Sequence, residues 1–111
     1  AGKKTVGNID ILAIKADADT DIKSQAGILL KKMNSGAVLL SKTPESGKIS
    51  VVLAVSKNLT GQLNAGQFIK ENASLIDARG GGSPNMAQCG GTKPEGWDEL
   101  KAAFEERAAA V

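Results

Sequence analysis

Residues 78–92, Ala-Arg-Gly-Gly-Gly-Ser-Pro-Asn-Met-Ala-Gln-Cys-Gly-Gly-Thr, gather five of the 13 glycines in a chain of 111 residues. Glycine loses more backbone freedom on folding than any other residue, so this stretch is no helix interior. It reads as a Gly-rich loop leading into a short strand at 86–89. Two roles stay open for Gly80–Gly82. Their amides lack side-chain obstruction and can approach a phosphate, with Arg79 adding a bidentate contact. Alternatively they form a tight turn at which a strand and a helix cross closely, and Gly90-Gly91 strengthen that reading. No Gly-Lys-Ser/Thr follows, and no G-x-G-x-x-G joins a strand to a helix here, so neither a P-loop nor a dinucleotide fingerprint is present.

The rest of the chain alternates between strand and helix patterns. Residues 9–16, Ile-Asp-Ile-Leu-Ala-Ile-Lys-Ala, are Ile-rich and short, which predicts a strand covered on both faces. Asp17 to Asp21 supply short polar side chains for a helix start, and Ile22, Ala26, Leu29, Leu30 and Met33 follow at helical spacing. That helix is expected to stop at Asn34-Ser35-Gly36, with Gly36 in the left-handed conformation and Lys31 and Lys32 facing the negative helix end. Residues 37–41 and 49–55 predict two strands joined as a hairpin through the turn cluster 43–47. The near-continuous apolar content of 49–55 marks a central strand. After a loop at 58–64, Asn64 is placed to cap a second helix whose buried stripe is Ala65, Phe68, Ile69, Ala73 and Ile76. A last helix from about Glu95 carries Trp97, Leu100, Phe104, Ala108 and Val111 on one face. Together these predict one α/β domain over residues 1–111, with a mixed sheet of four to five strands packed with about three helices. The pattern leaves the face that the last helix covers undecided.

Composition removes several classes of chemistry. With no His and Cys89 as the one cysteine, the usual zinc ligand sets and Ser-His-Asp or Cys-His catalytic units are not available. A disulfide within the chain is excluded for the same reason. Three aromatics, Phe68, Trp97 and Phe104, argue against single-strand readers that stack bases on aromatic faces. A net charge of +2 implies no nucleic-acid or membrane partner by itself. No apolar run approaches the roughly 18 residues of a membrane span, and Ala1-Gly2 opens no signal peptide, which predicts a cytoplasmic domain. The missing initiator Met is expected of a processed chain or a piece of a longer one.

The remaining polar features have plainer readings. Asp17, Asp19 and Asp21 alternate like a calcium loop but lack its central Gly and twelfth-position Glu, and helix capping accounts for them. Glu105 and Glu106 are adjacent on a helix and point about 100° apart, which suits a solvated face rather than an acid–base pair. Cys89 reads as a small buried strand residue and Trp97 as a core anchor. No catalytic residue and no metal site emerge.

The run Gly80-Gly81-Gly82-Ser83-Pro84-Asn85-Met86-Ala87-Gln88-Cys89-Gly90-Gly91 resembles the signature near the C-terminus of alanyl-tRNA synthetases, approximately G-K-G-G-G-R-P-D-M-A-Q-A-G-G. The Met-Ala-Gln run separates that group from the wider set of DHHA1 domains found in DHH-type phosphoesterases. Ser83 stands where many members carry Arg, Asn85 where they carry Asp, Cys89 where they carry Ala or Gly, and Ala78-Arg79 replaces Gly-Lys. The missing Arg removes one phosphate contact, while Arg79 keeps a cation just before the glycines.

This resemblance implies a DHHA1-like fold and a tRNA-binding accessory role. The parent would be an alanine–tRNA ligase, with tRNA(Ala) held at its elbow and the remainder of the synthetase and a homodimer mate as further partners. It implies no cofactor in this chain, the ATP, magnesium and zinc of such a parent being held elsewhere. The expected nucleic-acid contacts are Arg79, Gly80, Gly81, Gly82, Ser83, Asn85 and Gln88, flanked by Lys70 and Lys93 and more weakly by Lys57. A structural docking module and the substrate-binding part of a phosphoesterase are the alternatives.

Overall fold

Ile49–Val55 forms a strand in which every residue except the half-buried Ser50 is buried. Each fully buried Val, Leu or Ile side chain contributes about 1.5–3 kcal/mol over an exposed one, so a run apolar on both faces belongs at a sheet centre. The structure is a computed structural model that describes residues 3–6, 9–16, 21–32, 36–43, 48–61 and 63–109. Its elements in chain order are β1 (Lys3–Val6), β2 (Ile9–Lys15), α1 (Ile22–Lys31), β3 (Gly36–Lys42), β4 (Ile49–Val55), α2 (Ala65–Asn72), β5 (Ala78–Ser83), β6 (Met86–Gly91) and α3 (Trp97–Ala109).

The six strands make one mixed sheet in the order β1-β2-β3-β4-β6-β5. Only β2 and β3 pair in parallel, as the helical crossover through α1 requires. The other neighbours are antiparallel, including the expected β3–β4 hairpin, which runs from Ala37↔Val55 to Lys42↔Ser50.

Alternation along the central strands splits the core into two layers. Ala37, Leu39, Val51, Leu53, Val55, Ala87 and Cys89 face α2 and α3, meeting Phe68, Ile69, Leu100 and Phe104. Val38, Leu40, Val52 and Ala54 face α1, meeting Ile22 and Ala26. The position of α3, undecided by pattern, is thereby settled on the α2 face. There the Phe68 and Phe104 rings meet edge to face, 6.1 Å between centroids and 74° between planes, the arrangement that aromatic quadrupoles favour.

The fold class is the expected one, and the predicted helices and central strand are present, although α2 ends at Asn72 and the last two residues of its expected stripe, Ala73 and Ile76, are buried in the 3₁₀ turn Ala73–Ile76 that follows. Asp21 caps α1, its carboxylate accepting from the Ser24 amide at 3.3 Å and the Ser24 hydroxyl at 3.0 Å. Three local expectations change. The sheet has a strand at Lys3–Val6 that the pattern did not locate. Gly36 opens β3 instead of closing α1, because its amide donates to Ser56 Oγ at 2.9 Å and its carbonyl accepts from the Ser56 amide at 2.9 Å. The segment from Ala78, read as a loop, is strand β5. Asp17, Asp19, Met33, Asn34, Ser35, the turn at 44–47 and Val111 lie outside the described residues.

Candidate functional site

β5 and β6 form a hairpin at one edge of the sheet, with a register running from Ala78↔Gly91 to Ser83↔Met86. Pro84 and Asn85 are left as the turn. Both turn carbonyls are bonded: Pro84 accepts from the Ala65 amide at 2.8 Å and Asn85 from the Val55 amide at 2.8 Å. Helix α2 therefore starts at the hairpin tip. Asn64 caps it as expected, with its Oδ1 accepting from the Gln67 amide at 3.0 Å.

The three glycines of β5 have different surroundings. A β-carbon at Gly80 would run into the Gln88 carbonyl and Cys89, and one at Gly82 would lie 2.5 Å from the Met86 carbonyl oxygen and 2.7 Å from Ala87 Cα. Packing against β6 thus accounts for both. A β-carbon at Gly81 would meet nothing within 4 Å, and its backbone is not left-handed. Gly81 is thus the glycine of β5 that packing against β6 does not account for.

Strand geometry also corrects the expected phosphate cradle. Successive amides of an extended strand point to opposite sides, so the N–H groups of Gly80, Gly81 and Gly82 do not converge on one anion as they would in a nest. The close crossing of strand and helix, the other reading of these glycines, is present where Gly66 of α2 meets Gly82.

Two clefts flank β5. The first, about 250 Å³, is lined by Lys23, Gly81, Gly82, Ser83, Met86, Ala87 and Gln88. The second, about 540 Å³, is lined by Asn64, Gly66, Gln67, Lys70, Glu71, Gly81, Gly82 and Pro84. β5 borders both clefts, with Lys23 of α1 lining the first and Lys70 of α2, the helix that rests on β5 at Gly82, lining the second.

Of the expected contact residues, Gly81, Gly82, Ser83, Gln88 and Lys70 come together here. Gly80 is consumed by strand pairing, and Asn85 belongs to the turn. Arg79 takes the register position opposite Gly90; its side chain lies outside the described residues. Lys93 stands at the other end of the hairpin, its amide donating to the Ile76 carbonyl at 3.0 Å, roughly 17 Å of strand from the tip. Lys57, in a 3₁₀ turn at Lys57–Leu59, lines neither cleft. Lys23 was missed by sequence reasoning, because nothing local ties α1 to a hairpin so far along the chain.

Glu71, the acid of the second cleft, is engaged by Arg107, whose Nη2 donates to Oε1 at 2.9 Å. That bond holds the Glu71 carboxyl below its ordinary value. The Arg107 guanidinium also sits 5.8 Å from the Phe68 ring centroid, so it bridges α2 and α3. Burial pushes the Cys89 thiol up to about 11, which keeps it protonated and unreactive at neutral pH. Among the described residues no group of three or more His, Cys, Asp or Glu stands together to hold a metal ion, and no helix is long and apolar enough to cross a membrane.

The DHHA1 domain family matches residues 7–110. The alanine–tRNA ligase of Synechococcus sp. (strain JA-3-3Ab) is 42% identical over 105 residues, covering 92% of this chain and 12% of that protein. The alanine–tRNA ligase of Desulfosudis oleivorans is 35% identical over 105 residues, covering 93% of the chain and again 12% of the ligase. The chain thus spans about an eighth of the length of these relatives. Among solved structures, the C-Ala domain of Aquifex aeolicus alanyl-tRNA synthetase superposes with a TM-score of 0.88 at 23% identity, covering 96% of this chain and 97% of that one. The likeness extends to the whole fold.

Proposed function

The chain belongs to the DHHA1 domain family, and on that premise we propose that it is a tRNA-binding accessory domain of an alanine–tRNA ligase whose aminoacylation and editing are performed outside these residues. The relatives' names and their shared fold support the parent enzyme. One observation carries the binding role: Gly81 lies on an edge strand, needs no special φ and has open space where a side chain would stand. No packing contact of the fold calls for glycine at this edge position, and the bare strand leaves room for a ligand backbone in close approach.

Contacts of this kind position an RNA through its phosphates and shape and leave base chemistry aside. Lys70 supplies a cation beside the strand, Gln88 a neutral donor and Ser83, whose hydroxyl donates to the Met86 carbonyl at 3.4 Å, an acceptor, and Arg79 adds a further charge on the same strand. ATP, magnesium and zinc belong to other parts of such a parent.

Titration of a tRNA(Ala) transcript at rising salt tests this reading. Binding is expected at low salt and is expected to weaken steeply as salt rises. Gly81→Asp, which fits the open space, should reduce affinity at least tenfold while leaving the thermal transition in place. Absence of binding at low salt, or a Gly81→Asp variant that binds like the parent, overturns it.

A further inference from the structure

We infer that β5 acts as a fin that enters the groove of a double-helical RNA segment, with Lys23 and Lys70 taking the two phosphate rows on either side. This rests on the RNA-binding reading above and specifies its ligand. Gly81 and Gly82 line both clefts at once, so the strand is reached from both sides along its edge, where Gly81 is open, while α2 rests on it at Gly82. Each cleft ends on a lysine from a different helix: Lys23 of α1 on one side and Lys70 of α2 on the other.

A single strand has one row of phosphates and would satisfy one cleft. A duplex has two rows separated by a groove, which matches two cations separated by a wall. Among the described residues the first cleft has no acid in its lining, and Glu71, the acid of the second, is bonded to Arg107. Both clefts thus keep a positive balance toward a polyanion.

The wall itself suits the minor groove of A-form RNA, which is wide, shallow and lined with 2′-hydroxyls, whereas the major groove is too deep and narrow to admit side chains. β5 carries no side chain at Gly81 and Gly82, and the exposed Ser83 and Gln88 carry hydroxyl and amide groups suited to hydrogen-bond 2′-hydroxyls without reading sequence. Lys23 is the new residue here. No local pattern marks it, and its cleft forms only because α1 packs on the face of the sheet to which Met86 of the hairpin belongs.

Fluorescence anisotropy decides the matter with three labelled probes of equal length: an RNA duplex of about 14 base pairs, one of its strands alone, and the DNA duplex of the same sequence. The RNA duplex should bind at least tenfold more tightly than either of the others. Lys23→Ala and Lys70→Ala should each lower the slope of log affinity against log salt by about one, and the double variant by about two.

A preference for the single strand, or a Lys23→Ala variant with an unchanged slope, overturns the fin while tRNA binding sensitive to Gly81→Asp keeps the accessory role intact. Loss of binding to every probe and to tRNA overturns both. Association of the chain with itself that Gly81→Asp abolishes, without RNA binding, would assign the edge to a second copy and overturn the fin. Both lysines are exposed, so the variants should fold, and far-UV circular dichroism verifies it.

Discussion

A β-carbon on Gly66 would lie 2.5 Å from the carbonyl oxygen of Gly82, so helix α2 rests on strand β5 at backbone contact. The neighbouring Ala65 amide bonds to the Pro84 carbonyl at 2.8 Å, which holds helix and hairpin as one unit and sets where Lys70 stands.

Substituting Gly66 by Ala should therefore lift the helix from the strand. Overpacking of this kind costs about 1–3 kcal/mol. Gly27, inside α1, has nothing within 4 Å of an added β-carbon, so Gly27→Ala should stabilise by about 0.5–1 kcal/mol through helix propensity. Urea midpoints of the two variants should move in opposite directions, and a stabilised Gly66→Ala would contradict the contact.

Asp77 is the one non-glycine with positive φ among the described residues, at φ 52 and ψ 49. Its Oδ2 accepts from Thr92 Oγ1 at 2.6 Å, closing the base of the hairpin. Ala pays the left-handed penalty of about 1–2 kcal/mol without that bond, whereas Asn tolerates the conformation and retains an acceptor. Thermal melts should rank wild type and Asp77→Asn above Asp77→Ala.

Acid sensitivity follows from Glu71 and Asp21. The hydrogen bond from Arg107 lowers the Glu71 carboxyl below its ordinary 4.5, and the Ser24 amide lowers Asp21 below 3.8. In both cases the unfolded chain binds protons at a higher pH than the folded one. Their contribution is fully present above the ordinary values and is lost as pH falls through the lower folded ones. Denaturation midpoints from pH 7 to pH 2.5 should show Glu71→Gln less stable than wild type near neutrality and converging with it in acid. Parallel curves would assign the acid sensitivity to other groups.

Cys89 is 8% exposed and its thiol is pushed up to about 11 by burial. A thiol reagent at pH 8 should label the native chain at least a hundredfold more slowly than the urea-unfolded chain, since the thiolate is the reacting species. Equal rates would place Cys89 at the surface.

How far the chain could be read depended on whether the signal was local. Ile49–Val55 announced a central strand because a run apolar at every position has nowhere to go but between two layers. Asn64 and Asp21 announced helix starts because a cap is a bond between near neighbours. Gly36 was misread because its partner, Ser56, comes from the next strand connection. Gly80–Gly82 were misread as a loop because glycine carries no β propensity, and their strand exists through pairing with Met86–Gly91 and the helix laid over it.

For the candidate site, the chain alone marked the glycine run, the Met-Ala-Gln signature and Lys70. It also removed the usual nitrogen and sulfur metal sites by lacking His and carrying a single Cys. Tertiary structure decided the rest: α3 joined α2 on one face, β5 became the sheet edge, and Lys23 arrived opposite Lys70. Periodicity and caps are short-range properties that survive in the sequence. Strand order and the meeting of distant side chains follow from which faces bury together, and the sheet settles that only when all its strands are in place.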